Sequence, residues 1–269
     1  LGLITLLFGF STPLSVVAAI FHIMNHATFK ASLFMVAGIV DHETGTRDLR
    51  KLSGLWAFMP HTATLAMIAA ASMAGVPLLN GFLSKEMFFE RALDINTLSI
   101  GILIPILATI AGIFSVAYSL KFVHNIFFNG KIKKLPKTPH EPPRFMKIPV
   151  DLLVIICFLV GTVPALTIAP LLATAVMGSL QTTLPEYSLA IWHGFNAPLI
   201  MSIIAFILGI FLYTKREKTT AIFEKYFEKI DARVPFYLLI ESILHFLKAL
   251  ILLCKSFGRQ VFPSVPSVD

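Results

Sequence analysis

The sequence predicts an all-α, polytopic transmembrane helix bundle. Of its 269 residues, 56% are apolar and 14% are charged, and the mean hydropathy is +0.81. A soluble domain carries about a quarter charged residues, so the composition excludes a soluble globular protein. The high hydrophobicity also excludes a disordered chain. Strands are not expected, because an open sheet edge leaves backbone groups unsatisfied in hydrocarbon.

Apolar runs set the number of predicted spans, since a helix needs roughly 20 apolar residues to cross a bilayer core. A partial span over residues 1–10 ends at the turn-forming Ser11, Thr12 and Pro13. We expect about six full spans after this partial first one. Those runs are 14–40, 61–92, 98–128, 148–177, 188–213 and 235–256. The chain begins at Leu1 with no signal-peptide pattern, and we expect it to be a fragment that lacks an N-terminal portion.

Basic residues indicate the orientation of the bundle. The loops 41–60, 129–147 and 214–234 hold three, six and six of the 22 Lys and Arg residues. The loops between the other ends of the spans, 93–97 and 178–187, hold none. Cytoplasmic loops carry an excess of Lys and Arg, so we predict that the three basic loops are cytoplasmic.

Three ionisable residues share one face of the first full span. His22, His26 and Lys30 are spaced four residues apart, which places them along one helix face. Such groups are costly in hydrocarbon and usually mark ion pathways or pairs, so a proton relay is the favoured interpretation. Two alternatives are that the histidines only hydrogen-bond neighbouring helices, or that they bind a metal. The helix offers no carboxylate or thiol that would complete a metal site.

A second cluster predicts one broken helix near Gly75–Gly81. Pro77 removes a backbone donor inside an apolar run, and the two flanking glycines permit unwinding. Broken helices often mark ion pathways in transporters. We expect a new half-helix to begin near Ser84, which would set its partial positive charge beside Lys85. The alternative for Lys85 is an interfacial lysine whose amine reaches the headgroups.

Other polar residues are weaker candidates. Glu86 and Glu90 share a helix face and are possible accessory residues that line an exit or meet Arg91. His193 follows Trp192 and is predicted to lie in an aromatic belt at the membrane surface. Cys157 lies inside an apolar run, as does Cys254, so both are treated as small hydrophobic residues. The sequence has no phosphate loop, nucleophile elbow, zinc or haem motif, so no catalytic residue, cofactor or metal is expected.

Three segments carry a family resemblance. HIMNHATFKASLFMVAG, TRDLRKLSGL and SMAGVPLLNGFLSKEMF follow one another within residues 1–128. In order and spacing they resemble the antiporter-like membrane subunits shared by respiratory complex I and the multisubunit Mrp-type cation/proton antiporters. The DHETGTRDLRKLSGL loop and Asn25 favour the large A-type Mrp subunit. That family is built from two inverted five-helix repeats, each with a broken helix and a central lysine.

The resemblance also implies roles for single residues. Lys30 is similar to the lysine that links two half-channels, and Lys85 to the broken-helix lysine near the outward exit. His22 and His26 fit the histidines that line the hydrated axis between them.

The same resemblance implies a division of the chain. Residues 1–128 would be the C-terminal part of the proton-translocating core, its second inverted repeat. A cytoplasmic basic Pro-rich loop over 129–147 would follow, then additional C-terminal transmembrane helices over 148–256 and a tail over 257–269. The first repeat would be absent, so this chain alone should not transport.

The expected function is that of one subunit in a monovalent cation (Na+, or K+ or Li+)/proton antiporter of the bacterial inner membrane. Its partners would be the other antiporter subunits, the transported ions and the lipid bilayer, with no nucleic acid. Such a protein is a transporter and not an enzyme. One alternative is a proton-pumping subunit of a respiratory NADH:quinone oxidoreductase, and another is a scaffold in which the intramembrane charges only hold partner subunits.

Overall fold

All regular structure in the described part of the chain is helical, as predicted. The computed structural model describes residues 1–95, 101–130 and 134–227. Two short elements interrupt the α-helices: a 3-10 turn over Leu55–Ala57 and a π-helical turn over His124–Phe128. The α-helices are α1 (Gly2–Gly9), α2 (Pro13–Thr44), α3 (Pro60–Ala74), α4 (Asn80–Leu93), α5 (Leu103–Val123), α6 (Arg144–Thr162), α7 (Pro164–Thr167), α8 (Ala169–Leu180), α9 (Ala197–Thr214) and α10 (Arg216–Phe227).

Among the described residues, four helices are long and apolar enough to cross a membrane, as expected for an integral membrane protein. They are α2, α5 with its π-helical extension, α6 and α9. Residues 1–214 form one compact unit, and residues 215–269 form a second, of which α10 is described. The predicted span over 235–256 lies outside the described residues.

The predicted span over 148–177 is wrong in its continuity. It comprises α6, α7 and α8, which are separated at Val163 and Ile168. Each break precedes a helix with proline in its first turn, Pro164 in α7 and Pro170 in α8. Proline lacks a backbone donor and disfavours helical geometry in the residue before it. The start of α6 at Arg144 also takes the last four residues of the predicted loop 129–147 into a helix.

The predicted span over 188–213 begins too early. No helix occurs over residues 181–196, and α9 begins at Ala197. The Asn196 side chain accepts a hydrogen bond from the Leu199 N–H at 2.9 Å, which is the N-cap arrangement. Apolar content alone does not mark such a start, so the sequence predicts a helix over residues that are irregular in the structure.

The basic Pro-rich loop lies at the same end of the bundle as the loop that follows α2. The Lys137 N–H donates to the Thr44 carbonyl at 3.3 Å. Glu141 accepts hydrogen bonds from the backbone N–H groups of His61 and Thr62 at 2.7 and 3.1 Å. One carboxylate therefore satisfies two orphan donors at the start of α3. These contacts tie the loop to both α2 and α3.

The first basic loop is held by local ion pairs. Arg50 hydrogen-bonds Asp48 and lowers the pKa of that carboxyl to about 2. At the same end, Trp56 contacts the Phe128 ring with centroids 5.2 Å apart. The C-terminal part of α9 also reaches this region, where the Tyr213 hydroxyl is 2.8 Å from His124 Nδ1. Residues 181–196, which precede α9, consequently lie at the opposite end of the bundle.

Candidate functional site

The candidate site is centred on the interruption between α3 and α4. α3 ends at Ala74, and the next residue, Gly75, adopts φ +88°. Leu78 also has a positive φ of +67°. The break lies where the sequence predicts it, but α4 begins at Asn80 and not near Ser84. The prolyl residue and the two glycines identified the break, whereas the turn that ends it depends on contacts with other helices.

The break is packed inside the protein. The Ser72 hydroxyl hydrogen-bonds the Asn80 side chain and accepts the Gly81 N–H at 3.2 Å. A Cβ at Gly81 would overlap the Ser72 carbonyl, and a Cβ at Gly161 of α6 would overlap the Leu78 carbonyl. Irregular backbone at membrane depth survives only where protein or a cavity surrounds it, and this close packing satisfies that condition.

Lys85 is buried against the end of α3, with 9% of its surface exposed. The amine Nζ donates to the Ala74 carbonyl at 2.7 Å and to the Ser115 hydroxyl at 3.1 Å. The burial contradicts the alternative of an interfacial lysine. The predicted helix start beside Lys85 is also wrong, because the amine lies at the C-terminal, partially negative end of α3.

Two hydroxyls of α5 lie between Lys85 and Lys30. Ser115 Oγ donates to the Met73 carbonyl at 3.1 Å and lies 3.4 Å from the Tyr118 hydroxyl. The Lys30 amine lies over the Tyr118 ring, 5.4 Å from its centroid. Neither α5 residue is among those that the sequence predicts for the site. Their three-residue spacing on an apolar helix was the only available signal.

The two histidines of α2 follow one another toward this cluster. His22 is buried, and its Nδ1 lies 3.2 Å from Ser84 Oγ on α4. The His22 and His26 rings are 5.8 Å apart between centroids, and His26 contacts Phe29 edge-on. The contact with Ser84 is a hydrogen bond to a neighbouring helix, as expected from the alternative in which the histidines have only a structural role. The spacing along α2 also keeps the two rings adjacent.

A cavity of about 340 Å³ connects several of the predicted residues. Its polar lining residues are His22, His26, Lys85, Ser115 and Tyr118. Lys30 does not line it, but its amine lies over the ring of Tyr118, which does. Neither lysine forms an ion pair with any residue that the structure describes.

The two accessory carboxylates have different environments. Glu86 is 5% exposed, and its Oε1 accepts a hydrogen bond from Asn196 Nδ2 at 3.2 Å. The Glu90 side chain is 53% exposed and pairs with Arg91 at 2.6 Å. The shared helix face predicted for them therefore leads from the protein interior to its surface.

The chain is similar to several known membrane proteins. Residues 1–112 match the family described as NADH:quinone oxidoreductase/Mrp antiporter, transmembrane. The chain is 59% identical over 214 residues to the A/B-type subunit of a probable K+/H+ antiporter from Rhizobium meliloti, covering 79% of this chain and 21% of that protein. It is 44% identical over 212 residues to the A-type subunit of the Na+/H+ antiporter from Alkalihalophilus pseudofirmus, covering 74% and 26% of the two proteins.

A solved structure is similar over the whole chain. The structure of the Mrp complex from Dietzia sp. DQ12-45-1b matches with a TM-score of 0.73 and 31% identity, over 100% of this chain and 31% of that chain. The chain therefore spans between 21% and 31% of the length of these three relatives. Residues 1–112 are thus similar to the transmembrane family of NADH:quinone oxidoreductases and Mrp antiporters, and the chain is similar to part of A-type antiporter subunits.

Proposed function

We propose that this chain is part of the large subunit of a multisubunit monovalent cation/proton antiporter. Within it, His22, His26, Lys30 and Lys85 carry protons along an intramembrane pathway. The observation that carries the proposal is the cavity of about 340 Å³ that brings Lys85 together with the two histidines. The names of the relatives at 59% and 44% identity support antiport over respiratory electron transfer.

The geometry supports a pathway with two branches between the lysines. One branch runs from Lys85 through Ser115 to the Tyr118 hydroxyl, and water completes it to Lys30, whose amine lies over the Tyr118 ring. The other passes His22 and His26 through the cavity, which is large enough for several water molecules. A neutral imidazole both accepts and donates a proton, so each histidine can act as a relay.

Within the described residues neither lysine has an ion-pair partner, which favours a carrier over a scaffold. A lysine that only held a partner would be stabilised by a carboxylate, because a single buried charge is costly. Within the described residues, Lys85 has only neutral partners, the Ala74 carbonyl and the Ser115 hydroxyl. A neutral environment lets the amine exist in both protonation states.

The proposal includes the organisation and location of the complete protein. Residues 1–128 form the second inverted repeat, and residues 148–256 contribute additional helices beside it. Loops 41–60, 129–147 and 214–234 face the cytoplasm of a bacterium, because they hold most of the basic residues. The rest of the large subunit, together with the other subunits, completes the transport path.

The proposed substrate is a monovalent cation, either K+ or Na+. One relative is named for K+ and the other for Na+, so both ions are tested on the same preparation. The assay records collapse of a pH gradient in inverted membrane vesicles that contain the complete complex, after addition of either ion. A gradient that collapses with neither ion contradicts the antiport function.

Two lysine variants test the pathway in that assay. Lys30→Ala and Lys85→Ala should each abolish cation-dependent proton flux. Lys30→Arg should also fail, because a guanidinium cannot deprotonate. Lys121→Ala is the matched control, because it removes an exposed lysine from the last turn of α5. Normal flux in Lys30→Ala and Lys85→Ala would reject the pathway, and activity in Lys30→Arg would mean that Lys30 supplies only a fixed charge.

A further inference from the structure

Glu86 is a buried carboxylate with one oxygen that no described residue pairs with. Its Oε1 accepts from Asn196 Nδ2 at 3.2 Å and lies 3.5 Å from His193 Nδ1. Its Oε2 is buried and has no hydrogen-bond partner among the described residues. Burying an ionised carboxylate is costly unless both oxygens are paired. An amide and an imidazole on one oxygen leave this group suited to bind a proton.

His193 joins this carboxylate to the protein surface. Its side chain is 32% exposed, and its Nε2 lies 3.1 Å from the Ser188 hydroxyl while its Nδ1 faces Glu86. An imidazole in this position can take a proton on one nitrogen and release one from the other. The predicted aromatic-belt role fits Trp192, which is 58% exposed, and does not describe the contact of His193 with Glu86.

The surroundings of Glu86 and His193 favour proton exchange. A cavity of about 10 Å³ beside the pair has room for one water molecule. Its titratable lining residues are Glu86, Glu90 and His193, and among the described residues no lysine or arginine lines it. Glu90 forms an ion pair with Arg91, with Oε1 and a guanidinium nitrogen 2.6 Å apart. Residues 181–196 lie at the end of the bundle opposite the basic loop 41–60, so the pair faces the other aqueous phase.

We propose that Glu86 and His193 form a proton-exchange port between the Lys85 region and the aqueous phase beside residues 181–196. This inference rests on the proposed antiport function and adds the route by which protons enter or leave. A proton from water binds His193 Nε2, and the proton on Nδ1 passes to Glu86 Oε1, which leaves a neutral imidazole and a neutral carboxylic acid. The reverse sequence releases a proton. Asn196 is a positioning residue, because its amide holds Oε1 toward the imidazole.

The test uses the complete antiporter complex in proteoliposomes with independent control of the pH on each side. The variants are Glu86→Gln, His193→Gln and the double variant, with Glu186→Gln as the carboxylate control, because Glu186 is exposed on the same segment as His193. Complex assembly is checked for each variant on a native gel. Cation-driven proton flux is recorded while the pH beside residues 181–196 is varied from about 5 to about 8, where imidazoles titrate.

The proposed port predicts a specific pattern of proton flux among these variants. Removal of a positioned proton-transfer group lowers a rate by about 100-fold or more, and Glu86→Gln should show a loss of that order. His193→Gln should lower flux and remove its dependence on the pH of that compartment. The double variant should be no worse than Glu86→Gln, because the two residues act in series. Glu186→Gln should keep the flux and the pH dependence of the unmodified complex.

Other outcomes overturn the port and remain distinct from failure of the antiport function. Normal flux in Glu86→Gln, or an unchanged pH dependence in assembled His193→Gln, rejects the port while inactive Lys85→Ala still supports the lysine pathway. If Glu86→Gln abolishes binding of radiolabelled Na+ or K+ but leaves proton exchange intact, the carboxylate is a cation ligand and the port is rejected. If Glu86→Gln does not assemble, His193→Gln on the partly exposed loop decides the question alone.

Discussion

Replacement of Ser115 by alanine tests the connection between the two lysines. The hydroxyl accepts a hydrogen bond from the Lys85 amine at 3.1 Å and lies 3.4 Å from the Tyr118 hydroxyl. Alanine removes both contacts and leaves the Ala74 carbonyl as the remaining described partner of Lys85. We expect Lys85 to stay buried but to lose its link to the α5 hydroxyls.

The size of the effect follows from the bond that is lost. A hydrogen bond to a charged group contributes about 1.5–3 kcal/mol. If this bond is present while the proton moves, its loss raises the barrier by a similar amount. Each 1.4 kcal/mol corresponds to about a tenfold change in rate, so Ser115→Ala should slow cation-dependent proton flux by about 10- to 100-fold.

Ser119 provides the matched control one turn further along α5. It is buried like Ser115, but its hydroxyl donates to the Ser115 carbonyl of its own helix at 2.7 Å. Ser119→Ala should therefore change flux by less than about twofold, because such back-bonding is not required by the helix. Both variants are compared in inverted vesicles at equal complex content. Equal losses in the two variants, or full activity in Ser115→Ala, would refute the role of the hydroxyl.

Three further variants test the pathway and its scaffold. Tyr118→Phe keeps the ring and removes the hydroxyl, and we expect about a tenfold loss of proton flux in the same vesicle assay, with unchanged flux as the contrary result. Gly161→Ala should lower the thermal stability of the complex by about 1–3 kcal/mol, because its Cβ would overlap the broken segment. Gly38→Ala should leave the stability unchanged, because a Cβ at that position meets nothing within 4 Å. Equal shifts in melting temperature for the two variants would contradict the packing effect. Glu141→Gln should cost about 1 kcal/mol, measured by thermal unfolding, because its carboxylate caps α3 at Thr62, and an unchanged melting temperature would exclude that role.

The sequence predicted the features that local chemistry determines. Pro77 between two glycines was sufficient to predict the broken helix, because the missing donor and the permissive glycines act on their own segment. The cost of an amine in hydrocarbon similarly identified Lys85 as unusual. The span count was less reliable, since a run of apolar residues does not show where Pro164 or Asn196 stops or starts a helix.

The missed residues depend on contacts between distant segments. Ser115 and His193 gain their candidate roles from partners 30 and 107 residues away, Lys85 and Glu86. Serine in an apolar helix commonly bonds to its own backbone, so its presence alone carries no prediction. A histidine beside a tryptophan likewise fits an interfacial position until the folded loop turns its ring inward.

The broken helix supplies the partners that allow Lys85 to be buried. The last carbonyls of a helix have no intrahelical donor, and the end of α3 exposes those of Met73 and Ala74. Ser115 donates to the first and the Lys85 amine to the second. Both carbonyls are neutral, so the amine can release its proton without leaving an unpaired carboxylate in the protein interior. A continuous helix would use these carbonyls in its own hydrogen bonds, and a buried lysine at this position would then require a counter-charge that fixes its proton in place.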